Sequence, residues 1–228
     1  MNEINLDGFS KEWENIYDQN IHMSIWPWSD VVSLVSKYCN PVEKYNNILE
    51  IGCGAGANIP FFINRKNHFY GLDGSETIIN QLKDKFPELR QNLVAGDFTK
   101  SIPFDLKFDA VVDRGSLTHN STASIKECLT VLKDKMNQKS FYFGVDLFST
   151  EHSSFKLGEK VDEFTRKNIN TKQFKGVGNV HFFSKDHIYE LFEANSFKIL
   201  ELEHVVKESI QTSTEPYRHC VYNLVAQA

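Results

Sequence analysis

Glu50, Gly52, Gly54 and Gly56 stand at alternate positions in the stretch 46–62, NNILEIGCGAGANIPFF. Glycine has no Cβ, so a turn built from it can enter positive φ and let another group approach the backbone closely. The apolar residues Ile48, Leu49 and Ile51 just before the turn have the character of a buried strand. Three more acids follow short apolar runs of the same kind. Asp73 ends HFYGLD, Asp97 ends NLVAGD with Phe98 beside it, and Asp113 ends FDAVVD with Arg114 and Gly115 beside it. A carboxylate at a strand tip can accept hydrogen bonds from a ribose diol. The glycine spacing counts against two phosphate-binding loops. A P-loop needs GxxxxGK[ST], and the Lys is missing; a dinucleotide loop needs GxGxxG, and here the third glycine comes one residue early.

The elements that would hold these residues alternate along the chain. Strands are expected at 47–52, 68–73, 92–96, 108–113, 140–148, 197–206 and 219–227. Between the early strands lie helical patterns. Ser75 is a natural N-cap for a helix carrying Ile78, Ile79, Leu82 and Phe86 on one face. Ile125, Leu129 and Leu132 mark a second helix that starts near Ser121, and Ser184 caps a third with Ile188, Leu191 and Phe192. Strand–helix alternation predicts an α/β, doubly wound, seven-stranded and mostly parallel sheet with helices on both faces. No helical pattern separates the last two strands, so they are expected to pair antiparallel at one edge. Residues 1–45 form an N-terminal aromatic helical cap with all three tryptophans, and 149–183 form a polar, substrate-side insertion, both within one domain spanning 1–228.

The pattern ExGxGxG, followed in order by acids at three further strand tips, resembles the class I S-adenosylmethionine-dependent methyltransferases. The resemblance covers about residues 46–148. It implies S-adenosylmethionine as cofactor, with Glu50, Gly52, Gly54 and Gly56 against its amino acid end and Asp73 on its ribose. It places Asp97 and Phe98 at the adenine, and Asp113 and Arg114 beside the methionine portion. Trp26 and Trp28, flanking Pro27, are candidates to close over the donor or to anchor the helix that follows. The same resemblance makes His119 the first candidate base, because an imidazole of ordinary pKa, ~6.5, titrates near neutrality. His22 is a second, and His152 and His181 could touch substrate. The eight histidines form no spaced cluster with carboxylates. No metal is expected, although Asp113, Asn120 and Asp146 could be assembled into a site.

Composition narrows the partner. A net charge of -5 counts against a general nucleic-acid binder, and no apolar run approaches the ~20 residues of a membrane helix. The N-terminal stretch lacks the features of a signal peptide, and four scattered cysteines without a CxxC pair suit a reduced, cytoplasmic protein. A small-molecule substrate is therefore expected, with no nucleic acid and no membrane; oligomeric state is not legible. The segments WPWSDVV and GVGNVHFFSKDHIYELFE resemble methyltransferases associated with bacterial surface polysaccharides, which implies O- or N-methylation of a sugar or nucleotide-linked sugar. DRGSLTHN is similar to thiopurine methyltransferase-like enzymes, which act on thiols. A non-catalytic S-adenosylmethionine-binding subunit and a dehydrogenase are the remaining alternatives.

Overall fold

The computed structural model describes residues 12–19, 21–39, 47–171, 173–209 and 217–228. Two helices, α1 (Glu12–Asp18) and α2 (Ser29–Tyr38), precede the first strand. The chain then runs β1 (Asn47–Ile51), α3 (Ile59–Asn64), β2 (His68–Asp73), α4 (Glu76–Lys85), β3 (Leu93–Ala95) and β4 (Phe108–Arg114). Next come α5 (Thr122–Lys135) and β5 (Met136–Phe148), then three short strands, β6 (Glu159–Lys160), β7 (Thr165–Lys167) and β8 (Val180–His181). It ends with α6 (Lys185–Ala194), β9 (Lys198–Ser209) and β10 (Tyr217–Gln227).

Seven strands form the main sheet in the order β3-β2-β1-β4-β5-β10-β9. The first five are parallel, and β10 runs antiparallel to both β5 and β9. The expected architecture, including the terminal antiparallel pair, is the observed one. Register explains why the chemistry-bearing residues gather. Ile51 sits opposite Leu72 and Asp113, and Asp73 sits opposite Ala95. The C-terminal ends of β1, β2, β3 and β4 therefore lie in one row, where open α/β sheets bind ligands.

Neighbouring residues of β1 enter different cores, as the period of two requires. Leu49 and Ile51 pack with Ile125 and Leu129 of α5 and Leu191 and Phe192 of α6. Ile48 packs with Val31 and Val35 of α2, Phe62 of α3 and Ile78 and Leu82 of α4. The strand is thus apolar on both faces, which is why its sequence reads as a run rather than an alternation. The helix starts follow from side-chain caps: Ser75, Ser121 and Ser184 accept from the backbone N–H of Ile78, Ser124 and His187.

The 149–183 segment contains a three-stranded antiparallel sheet, β6-β7-β8, that the sequence pattern does not reveal. Strands of two or three residues are too short for a recognisable period. Phe174, Val177, Val180 and Phe182 form a third apolar cluster there with Phe148, Val221 and Ile16 of α1. No helix among the described residues is long and apolar enough to cross a membrane.

Candidate active site

A cavity of about 510 Å³ opens over the row of strand ends, within the range of small-molecule sites. At one end lies the turn after β1. Gly52 and Gly54 have φ of +61° and +49°, a region that disfavours side chains. Crowding makes the demand stricter. A Cβ on Gly52 would lie 2.3 Å from Cβ of Ser116, and one on Gly54 would lie 2.8 Å from the Tyr17 hydroxyl. The groups closest to this turn are therefore the protein's own, Ser116 after β4 and Tyr17 of α1.

The turn is wired to Asp73. One carboxylate oxygen accepts from Gly54 N at 2.9 Å and the other from Ser75 N at 3.0 Å. Each oxygen keeps a lone pair toward the cavity that Asp73 lines. Burial pushes its pKa up to about 6, against the two backbone N–H groups that favour the charge. Glu50 is also buried. Its Oε1 accepts from Asn58 Nδ2 at 2.7 Å, while Oε2 is buried with no partner. Burial raises Glu50 to about 8, so much of it is neutral at pH 7. Asn58 Oδ1 in turn accepts from Trp28 N at 3.0 Å, which ties the turn to the start of α2.

The opposite end is aromatic. Trp13, Trp28, His119, Phe148 and Phe174 line it, with Met23, Val177, His22 and His219. Arg114 lies over the Trp28 ring, 3.5 Å from its centroid, and donates to Asp146 at 2.5 Å. His119 occupies a single helical turn, Leu117–His119, after β4. Its Nδ1 is 3.0 Å from the Asn179 carbonyl, which can only accept, so Nδ1 carries the hydrogen and Nε2 holds the free lone pair. Burial lowers its pKa to about 4, so the imidazole is neutral across the physiological range and a weaker base than its sequence suggests. The Trp13 ring meets it edge-on at 4.8 Å.

The structure gathers many of the expected residues around the cavity and leaves others outside. Glu50, Gly52, Gly54, Asp73, Phe98, Arg114, Trp28 and His119 line it, as does His22. Gly56 faces Leu82 and Ile59, where a Cβ would collide with packed side chains. The Asp97 carboxylate accepts from Thr99 N and Oγ1 and does not line the cavity. Asp113 lies beneath the floor, fully buried. It accepts from Tyr142 Oη at 2.8 Å, from Ser116 N and Oγ and from Leu117 N, and so shapes the loop that carries His119. Trp26 is 76% exposed and away from the cavity, so of the two flanking tryptophans only Trp28 can close over a ligand. His152 and His181 are buried within the insertion, off the cavity. Sequence reasoning missed Phe148, Gln173 and His219 as walls of the site. They converge from segments far apart in the chain, and no local motif marks them. Among the described residues no three His, Cys, Asp or Glu side chains gather into a metal-holding group.

Comparisons with known proteins agree with the fold. Residues 48–135 match a family described as "Methyltransferase domain". The chain is 24% identical over 220 residues to O-methyltransferase 3 of Dictyostelium discoideum, covering 87% of this chain and 47% of that protein. It thus spans about half the length of the curated relative it matches. A solved S-adenosylmethionine-dependent methyltransferase from Methanosarcina mazei superposes with a TM-score of 0.64 at 17% identity, over 85% of this chain and 96% of the other. The 1,6-didemethyltoxoflavin-N1-methyltransferase of Burkholderia thailandensis, solved with S-adenosylhomocysteine, gives 0.62 at 14%, over 95% and 84%. The matched segment is similar to a methyltransferase domain, and the sheet has the fold of the class I S-adenosylmethionine-dependent methyltransferases. S-adenosylmethionine is the cofactor of that class, and the unpartnered Glu50 Oε2 in the cavity wall fits its ammonium group.

Proposed function

We propose that the chain methylates a small-molecule acceptor, with S-adenosylmethionine as donor, at an oxygen or nitrogen nucleophile. The observation that carries this reading is a single cavity joining Glu50 and Asp73 at one end to His119 at the other. Glu50 meets the donor's ammonium, Arg114 faces its carboxylate, and Asp73 accepts from the ribose hydroxyls. Phe98 packs the adenine. The donor supplies a methyl group on a positively charged sulfur, which leaves with the bonding electron pair as a neutral thioether. The chain's own part is then to position and to accept a proton. Tyr17, Trp13 and Trp28 exclude water and present aromatic faces, which attract a cation. His119 Nε2 takes the acceptor's proton, a contribution commonly worth ~100- to 10,000-fold. Alignment of the nucleophile along the cavity adds to this, since positioning alone can supply ~7–11 kcal/mol.

The acceptor expected from sequence resemblance is a hydroxyl or amine of a sugar or nucleotide-linked sugar, and the O-methyltransferase relative supports oxygen as the atom. The reading is tested by thermal melts with S-adenosylhomocysteine, S-adenosylmethionine and NAD in parallel. At ~100 times its dissociation constant a ligand adds ~2.7 kcal/mol, a rise of several degrees for a domain of this size. The two adenosyl ligands should shift the midpoint and NAD should not. A cooperative melt that neither adenosyl ligand moves would refute the proposal.

A further inference from the structure

The geometry points to a planar aromatic or heteroaromatic acceptor that carries its nucleophile on the ring, in preference to a saturated polyol; this rests on the methyl-transfer reading above. The acceptor half of the cavity is an arc of rings. Trp13 lies 4.8 Å from His119, centroid to centroid, and His119 lies 6.4 Å from Phe148. Phe148 continues the arc to Phe174 at 4.9 Å, with the rings 85° apart. All four line the cavity. These separations fall in the 4.5–7 Å range in which aromatic rings attract one another. A flat guest inserted along the arc meets faces and edges of the same kind.

The polar groups on this side argue in the same direction. Asp146 is paired with Arg114, whose Nε has no partner within the protein. Nδ1 of His119 is committed to Asn179, and Asn120 Nδ2 donates to the carbonyls of Ser116 and Leu117. Gln173 Oε1 accepts from the Tyr217 hydroxyl at 3.4 Å. What remains is Ser24, the Gln173 amide nitrogen, Asn120 Oδ1, Arg114 Nε and the imidazoles of His22, His119 and His219. A pyranose presents a hydroxyl on most of its ring carbons, and each one buried without a partner costs about 1–3 kcal/mol. A ring with one or two polar substituents needs far fewer partners, and His119 Nε2 is available to one of them. A phenolic hydroxyl is also far more acidic than an alcohol, which suits the weak base that burial makes of His119.

The test uses the full chain saturated with S-adenosylhomocysteine, with donor-product binding confirmed first by calorimetry. 7-Hydroxycoumarin and 4-nitrophenol are then titrated against methyl α-D-glucopyranoside and UDP-glucose, with affinities read by ligand-observed NMR. The aromatic probes should bind at least about tenfold more tightly than either sugar, ~1.4 kcal/mol or more. Phe174→Ala, checked for a cooperative melt, should weaken the aromatic probes and leave any weak sugar binding unchanged. Equal or tighter binding of a sugar overturns the inference, and so does the absence of aromatic binding to the loaded protein. In both cases the methyl-transfer reading stands, because the donor product has bound. Failure of S-adenosylhomocysteine itself to bind overturns that reading and the acceptor class with it.

Discussion

At the glycine-turn end of the cavity, polar side chains are held by backbone: Asp73 by Gly54 N and Ser75 N, and Glu50 through Asn58. At the Phe148 end, apolar rings are held by one another, and they come from α1, the turn after β4, the end of β5 and the insertion. The carboxylates of the first end are held within residues 50–75, a stretch short enough for one βαβ unit and the turn after it to fix both. The second needs the whole fold. Recognition of a constant ligand can be written into a local motif, whereas recognition of a variable one is assembled from loops that can change independently.

Substitutions should separate the two ends. The largest effect is expected from His119→Ala, which should lower kcat by ~100- to 10,000-fold while leaving S-adenosylhomocysteine affinity unchanged in calorimetry. The wild-type rate at saturating donor should also stay flat from pH 8 down to about pH 5. The sign follows from the lowered pKa: a group that titrates at about 4 stays neutral and basic well below the ordinary histidine range. An acid limb near 6.5 would show that the base is another group.

Next, Asp73→Asn should weaken S-adenosylhomocysteine binding by ~10- to 100-fold, as expected for loss of ~1.5–3 kcal/mol from hydrogen bonds to a charged group. The same substitution should leave the affinity of an aromatic acceptor probe nearly intact. Loss of both would mean that the two ends are not independent.

Glu50→Gln is smaller and depends on pH. Burial raises the folded pKa of Glu50 to about 8, above its unfolded value, so the folded state holds the extra proton. Its stabilising contribution is complete below the unfolded pKa and is lost as pH rises through about 8. The variant should therefore melt like wild type near pH 4 and several degrees higher near pH 9. Trp26→Ala should have the least effect, within about 0.5 kcal/mol in stability. It should leave donor-product affinity unchanged in calorimetry, because the side chain is exposed and off the cavity.

The same contrast explains what the sequence made legible. The mostly parallel sheet, the antiparallel terminal pair and the serine-capped helices follow from local apolar periods and caps. Glu50, Gly54 and Asp73 were recognisable because their spacing is fixed by one turn. Trp26 and Trp28 look alike in sequence, two residues apart; only the hydrogen bond from Trp28 N to Asn58 and the stack on Arg114 separate them. Asp97 and Asp113 look equivalent to Asp73, yet their carboxylates are consumed by Thr99 and by Ser116, Leu117 and Tyr142. Which acid faces a ligand depends on neighbours up to 29 residues away, beyond the reach of a motif. His219 carries no local signal, since its place in the site exists only once β10 has docked.

The most direct measurement is calorimetric titration of the wild-type protein with S-adenosylhomocysteine at pH 6, 7 and 8, in buffers of different ionisation enthalpy. Glu50 and Asp73 are buried with raised pKa values, and in the proposed placement the donor would bring both of them groups that favour their charged forms. Saturable binding that tightens as pH rises, with proton release at pH 7 that Glu50→Gln diminishes, is the expected result. Binding that is absent, or that neither releases protons nor depends on Glu50, would contradict the placement of the donor at the glycine turn.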